Sequence, residues 1–267
     1  MNLEELTDKE LLRVRGYIQK EYHFDGSIEI ERSHTGRYGA RGMPRQKKKK
    51  ATPEDIARQN QTNRENYLRR ILKANFKAAR DYWITLTYQK GTRTDPDTVN
   101  DDLTKVIKKI KYQYKKRGAP CKWVARVEVG KKGAGHIHLV INRIPDADLI
   151  ISECWSQIPD SGHADMTMLR ERGEFKELAA YIVKREAEVE KKEEIAPVQP
   201  YSGYRRSRNL EVPKPKKRLI KSKKLLTDPE PYKGYYIDKT SVNYGVNPVT
   251  GFLYQHFTMI KGGPPNG

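Results

Sequence analysis

The chain has 267 residues, of which 36% are hydrophobic and 33% are charged, and its formal net charge is +19. This length suits one sizeable domain with extensions or two small domains, while the high polarity excludes a single large core that spans the whole chain. The surplus of positive charge predicts contact with a polyanion such as nucleic acid; a merely solvated basic surface is the alternative.

The two cysteines, Cys121 and Cys154, lie far apart in the sequence and lack the spacing of metal ligands. This excludes a disulfide framework and a thiolate zinc site, and it indicates a reducing compartment. The N-terminus has no apolar run of the secretory type, and no stretch approaches the about 20 apolar residues of a membrane span. We therefore expect a soluble, intracellular protein that does not bind membranes.

Residues 1–75 are predicted to form a helical and basic N-terminal extension. Residues 1–25 combine a Thr-x-x-Glu capping box with an apolar helical face. Residues 33–50 are basic and irregular, which is typical of a flexible arm that contacts phosphates and nearly as typical of a solvated linker. A second helix is predicted from Thr52 to about Phe76, because Pro53 and two acidic residues follow a capping threonine.

Residues 76–192 carry the pattern of a compact α+β domain. Alternating β-branched and aromatic residues predict strands, and apolar residues at helical spacing predict helices. The predicted strands are residues 81–88, 122–129, 136–142 and 162–169, and the predicted helices are residues 95–116, 146–155 and 174–192. We expect a central antiparallel sheet of about five strands with flanking helices, and a hairpin of the second and third strands at its centre.

Residues 193–267 are predicted to be a basic linker followed by a small β-rich extension. Within this segment, residues 201–210 interleave aromatic residues with Arg205, Arg206 and Arg208. Such a mixture suits base stacking and phosphate contact on single-stranded DNA, and a disordered basic linker is an equal alternative.

His136 and His138 are the first candidates for chemistry, because residues two apart in a strand point to the same face. An unliganded surface pair is the alternative reading. Glu128 lies on the partner strand of the predicted hairpin, so its face depends on the register; its alternative role is a salt bridge with Arg126 or a lysine. Two imidazoles and a carboxylate on one face would suit Mg²⁺ or Mn²⁺, and would also accept Zn²⁺, Co²⁺ or Ni²⁺.

Three motifs occur in an order that resembles a known family. They are Trp-Ile-Thr-Leu-Thr-Tyr at 83–88, His-Ile-His at 136–138 and Tyr-Ile-Val-Lys at 181–184. Together they resemble the HUH endonucleases, and within them the single-tyrosine replication-associated proteins of small phages, plasmids and single-stranded DNA viruses. The resemblance covers about residues 76–190, and it places Glu128 where the third metal ligand of that family usually lies.

The resemblance implies a site-specific nickase and ligase of single-stranded DNA that initiates rolling-circle replication. It implies that Tyr181 is the nucleophile, which leaves a 5′-phosphotyrosine and a free 3′-OH, and that Lys184 neutralises the phosphate or the phenolate. It also implies a divalent metal, Mg²⁺ or Mn²⁺, on Glu128, His136 and His138.

The tyrosine motif needs its position to be informative, because Tyr-x-x-Lys occurs four times, at Tyr17, Tyr112, Tyr181 and Tyr236. Tyr181 is favoured since it follows the histidine pair and lies in a helix without Gly or Pro. Lys184 follows one turn later and shares its face. The alternatives are a buried helical aromatic residue and a solvated lysine.

The expected partners are a single-stranded origin, often a hairpin, together with a host polymerase and a host helicase, because no Gly-x-x-x-x-Gly-Lys-Ser/Thr loop is present. Arg126, Lys131 and Lys132 on and beside the hairpin are further candidates for DNA contact. The expected location is the cytoplasm of a prokaryotic host. Alternative functions are an HUH transposase or mobilisation relaxase, or a non-catalytic basic nucleic-acid-binding module. The origin sequence and the oligomeric state stay open.

Overall fold

The structure is a computed structural model that describes residues 16–34, 43, 45–47, 50–130, 133–170, 173–184, 203–221 and 228–263. In chain order the elements are β1 (Tyr17–Phe24), β2 (Ser27–Ser33), α1 (Pro53–Asn75), β3 (Tyr82–Tyr88), α2 (Pro96–Lys116), β4 (Trp123–Val129), β5 (Gly135–Ile141), α3 (Ala147–Ser156), β6 (Ser161–Met168), α4 (Lys176–Val183), β7 (Arg205–Arg206), β8 (Lys216–Ile220), β9 (Tyr235–Val246) and β10 (Leu253–Lys261). In the described ranges, none of the helices combines the length and apolar character needed to cross a bilayer.

The chain divides into two compact units, one of residues 1–59 and 213–267 and the other of residues 60–212. The two ends of the chain therefore share a unit. The sequence-based boundaries at residues 75 and 192 are drawn from composition, whereas this division follows contacts in space. Each unit is built around its own five-stranded antiparallel sheet.

The first unit has the strand order β8-β1-β2-β10-β9. The predicted helix over residues 1–25 is wrong for residues 17–24, which form β1 and pair with β2 through a turn at Asp25 and Gly26. An Asp-Gly pair between alternating segments is a strong hairpin signal, and here it outweighs the local helical pattern. Residues 1–15, including the predicted capping box, lie outside the described residues.

A buried carboxylate ties the N-terminal hairpin to the C-terminal strands of this unit. The Glu21 side chain is fully buried, accepts hydrogen bonds from Gln19 and Tyr232, and forms an ion pair with Arg218. Burial raises the pKa of this carboxyl, but the hydrogen bonds from Tyr232 and Gln19 and the charge of Arg218 outweigh it, so the pKa is lowered. The charge is thus satisfied within the sheet.

The second unit has the strand order β6-β3-β5-β4-β7 and is antiparallel throughout. The predicted α+β class, the sheet of about five strands and the central position of the β4–β5 hairpin are confirmed. Four of the strands agree with the sequence prediction. The fifth, β7, has only two residues and was not predicted.

The two faces of this sheet carry different helices. One face packs against α2 and α3, and its core includes Leu86, Ile137, Leu139, Val99, Leu103 and Trp155. The other face packs against α1 and α4 through Val124 and Val140. Because side chains alternate along β5, Ile137 enters the first core while His136 and His138 point to the face that carries α4.

The start of β5 allows a matched test of close packing in the hairpin. A Cβ added to Gly135 would lie 2.3 Å from Thr94 Oγ1 and 2.8 Å from Val99 Cγ2, whereas a Cβ added to Gly130 would meet only Ala134 O, at 3.6 Å. We expect Gly135→Ala to lower the free energy of unfolding by about 1–3 kcal/mol through overpacking, and Gly130→Ala to change it much less. Urea denaturation of both variants checks this; equal losses would contradict it.

Candidate active site

The register of the hairpin settles which way Glu128 points. Glu128 lies directly opposite His136, and Arg126 lies directly opposite His138. Since directly paired residues share a face, the carboxylate, the guanidinium and both imidazoles project to the same side of the sheet. This is the side on which α4 packs.

Tyr181, on α4, reaches the sheet at this position. Its hydroxyl donates a hydrogen bond to Glu128 Oε2 at 2.9 Å and lies 2.8 Å from His138 Nε2. The two acceptors are themselves 3.2 Å apart. Three polar atoms from three separate parts of the chain thus meet at one point, and the tyrosine is still 38% exposed. The site is open to a large substrate.

Two residues of β3 fix the His138 ring. Thr85 Oγ1 lies 3.3 Å from Nδ1, and the Trp83 ring stacks on the imidazole with centroids 5.3 Å apart and planes 6° apart. The same indole meets the Tyr181 ring edge-on at 5.9 Å. A partner on Nδ1 orients the ring and leaves Nε2 directed at Glu128 and Tyr181.

Arg126 connects the sheet to the end of the tyrosine helix. Its Nε lies 2.8 Å from Glu128 Oε1, and its NH1 group donates to the backbone carbonyls of Tyr181, Ile182 and Lys184. The last carbonyls of a helix have no partner within the helix, and a cation there also opposes the helix dipole. Arg126 is only 8% exposed, so the structure assigns it a bracing position, and its predicted DNA contact stays a prediction.

The start of α4 is held by α1. Glu174 and Phe175, just before α4, have left-handed backbone angles, with φ of 53° and 64°. Glu174 pairs with Lys73 at 2.5 Å and with Arg69 at 3.4 Å. The prediction that the helix starts at Glu174 is therefore wrong by two residues, because these ion pairs support a bend there. Residues 185–192 of the predicted helix lie outside the described residues.

The contacts set opposite protonation tendencies on the two acids. A hydrogen bond with His138 is the main cause that lowers the pKa of Glu128 to about 2; Tyr181 and Arg126 add to the effect, and burial opposes it. Burial, followed by the hydrogen bond to the Glu128 carboxylate, raises the pKa of Tyr181. At neutral pH the carboxylate is therefore ionised and the phenol is protonated.

The donor types fit a divalent cation. Glu128 and His138 present a carboxylate oxygen and a ring nitrogen at the same point, and the His136 ring lies 6.5 Å from the His138 ring between centroids. No three His, Cys, Asp or Glu side chains of the described ranges converge as a metal cluster. The mixed nitrogen and oxygen set nevertheless matches the preferences of Mn²⁺ and related ions, with His136 as the nearest further imidazole.

The other predicted site residues do not join this cluster. Lys184 is exposed at the end of α4, and in the part of the chain that the structure describes its ammonium group has no bond to Tyr181 or Glu128. Lys131 and Lys132 lie outside the described residues. Their proposed roles stay predictions.

The arginines of the third predicted segment lie at or beside β7, at the edge of the sheet. Arg205 NH1 donates to Asn100 O and Thr104 Oγ1, both at 3.0 Å, and Arg206 donates to the Tyr67 hydroxyl at 3.2 Å. Arg208 is exposed in the turn that follows. The structure therefore orders this part of the segment, while its contact with DNA stays a prediction.

Sequence reasoning missed the supporting roles of Trp83, Thr85 and Arg126. A signal for the first two was available, since alternation along the Trp-Ile-Thr-Leu-Thr-Tyr motif puts Trp83, Thr85 and Thr87 on one face. Arg126 has the same parity as Glu128, but its bonds to α4 depend on tertiary packing and leave no mark in the sequence.

Comparison with known proteins agrees with the part of the chain that forms this site. Residues 81–186, less than half of the chain, match the family model of the ORF2 type of replication-associated protein. The match runs from just before β3 to just past α4. No curated protein and no solved structure matches the chain. The family match supports a replication-related function and is consistent with DNA as the partner.

Arg126 provides a test of how α4 is held. We expect Arg126→Met to lower the free energy of unfolding by about 1.5–3 kcal/mol, the usual value of hydrogen bonds to a charged group, and to speed amide exchange in α4. Arg205→Met removes an exposed arginine and is expected to change stability by less than about 0.5 kcal/mol. Unchanged exchange of the α4 amides in Arg126→Met would refute the bracing position.

Proposed function

We propose that this protein is a metal-dependent nickase and ligase of single-stranded DNA that initiates rolling-circle replication through a phosphotyrosine at Tyr181. One observation carries the proposal: the Tyr181 hydroxyl lies within hydrogen-bond distance of both Glu128 and His138. A nucleophile beside candidate metal ligands is the arrangement that phosphoryl transfer by a phenol requires. The family match over residues 81–186 adds support for the replication part.

In the proposed reaction the phenol oxygen of Tyr181 attacks the phosphorus of one phosphodiester. A new phosphorus–oxygen bond forms to the tyrosine, and the bond to the 3′-oxygen breaks. The phenol proton leaves to an acceptor in reach, of which Glu128 Oε2 is the one that already accepts its hydrogen bond. The departing 3′-oxygen takes up a proton from water. The products are a 5′-phosphotyrosine and a free 3′-OH that can prime synthesis.

The burial of the phenol explains why it needs a cation. Its pKa is raised in this environment, so the neutral phenol is a weak nucleophile at physiological pH. Glu128, His136 and His138 are proposed to hold a divalent ion, Mg²⁺ or Mn²⁺, which when bound would offset negative charge on the phosphate oxygens. Lys184 is proposed to add a second positive charge on the solvent side of α4.

The same chemistry run backwards rejoins the strand. The phosphotyrosine bond conserves the energy of the phosphodiester, so a 3′-OH can displace Tyr181 without a nucleotide cofactor. The proposed partners follow from the products: a single-stranded origin as substrate, a host polymerase that extends the 3′-OH, and a host helicase that unwinds the duplex.

The first test compares two tyrosines of the same motif. We expect Tyr181→Phe to abolish the covalent adduct with single-stranded DNA in the presence of Mn²⁺, because the attacking oxygen is lost. Tyr112→Phe removes a hydroxyl from an exposed tyrosine of α2 and should leave the adduct intact. Adducts are detected by denaturing gel electrophoresis with labelled oligonucleotides from the element that encodes the protein. A shifted native band without any adduct would favour the binding-module alternative.

The second test measures the metal directly. We expect His138→Ala and Glu128→Gln each to weaken Mn²⁺ binding in calorimetry by more than about tenfold, and to reduce adduct formation in parallel. His163→Ala is the matched control, because His163 is exposed on β6, which β3 separates from β5. Equal Mn²⁺ affinity in all three variants would rule out the proposed ligands.

A further inference from the structure

A cleft of about 580 Å³ adjoins the candidate nucleophile. It lies between α4 and the end of β6, and His138 and Tyr181 form part of its wall. A cavity of this size can hold a group as large as a nucleotide. The cleft therefore lies where a substrate strand would continue from the phosphate that Tyr181 attacks.

Most of the remaining wall is apolar. It includes the half-buried indole of Trp83, the buried side chain of Leu169, the half-buried Leu178 and Met168, which is 38% exposed. An indole with aliphatic and thioether neighbours forms a surface on which a flat heteroaromatic ring can pack. Base stacking on aromatic side chains is a main source of affinity for single strands.

Two charged residues complete the cleft. Arg170 and Glu177 are both exposed and both line it. In the described ranges neither side chain has a hydrogen-bond or ion-pair partner, and they do not pair with each other. A guanidinium and a carboxylate that face one cavity can satisfy a ligand that carries both acceptors and donors.

We propose that this base cleft, formed by Trp83, Met168, Leu169, Arg170, Glu177 and Leu178, holds one unpaired guanine of the substrate strand. Guanine presents the acceptors O6 and N7 to an arginine, and its N1–H and amino group can donate to a carboxylate. Thymine has a single N–H donor and no amino group. The inference rests on the proposed function and deepens it, because it assigns sequence selection beside the cut to Arg170 and Glu177.

The test is a binding measurement on the full wild-type chain in the presence of a chelator, so that no cleavage intervenes. The probes are a short fluorescent oligothymidylate and the same oligonucleotide with one central guanine, compared by anisotropy. We expect the guanine to tighten binding about tenfold, the value of one good bidentate contact. Equal affinity for the two probes would overturn the proposal.

Matched variants separate base selection from general electrostatics. Arg170→Ala and Glu177→Gln should each abolish most of the guanine preference. Lys176→Ala removes a positive charge from the adjacent exposed position of α4, outside the cleft, and should keep the ratio between the two probes. A ratio that survives in both cleft variants would also overturn the proposal.

The readout is independent of nicking. A guanine preference that depends on Arg170 and Glu177, found together with no covalent adduct in Mn²⁺, would support the base cleft and refute the nickase. An adduct formed by a chain without guanine preference would refute the base cleft and support the nickase.

Discussion

The buried guanidinium of Arg126 is the contact on which the geometry of the site depends. It bonds to the Glu128 carboxylate and to the carbonyls that end α4 at the same time. A helix of eight residues is too short to be stable by itself, so its position comes from its contacts. Ion pairs from Glu174 to α1 hold the residues just before α4, and Arg126 holds its end. Tyr181 lies near that braced end, which is why its hydroxyl meets the sheet at a defined point.

Strand alternation lets one hairpin serve the core and the chemistry together. Ile137 and Leu139 anchor β5 in the core beneath α2 and α3, while His136 and His138 use the opposite face of the same strand. The candidate site thus rests on the central strand of the sheet, where local unfolding requires the most packing to be lost. The two faces also separate roles, because a change in a site residue need not disturb the core under it.

Periodicity was enough to predict most of the second unit, because each of its longer elements buries one face. It could not separate a helix from a strand at residues 17–24, where an Asp-Gly turn decides, and it could not detect the two-residue β7. The pair of histidines and Tyr181 could be selected by motif order. The register that places Glu128 opposite His136, the left-handed residues before α4 and the bracing by Arg126 depend on tertiary packing, which no local pattern encodes.

The electrostatics of the site give a physical reason for a cation. The chain as a whole attracts phosphates through its charge of +19, yet the atom nearest to the Tyr181 hydroxyl on β4 is an ionised carboxylate oxygen. An ionised carboxylate repels a phosphodiester and also stabilises the protonated phenol, so by itself Glu128 opposes both approach and attack. Sharing the Glu128 charge with a divalent ion removes both effects at once, since the ion attracts the phosphate and weakens the hold of the carboxylate on the phenol proton. Oε1 is already committed to Arg126, which leaves Oε2 as the atom through which this exchange takes place.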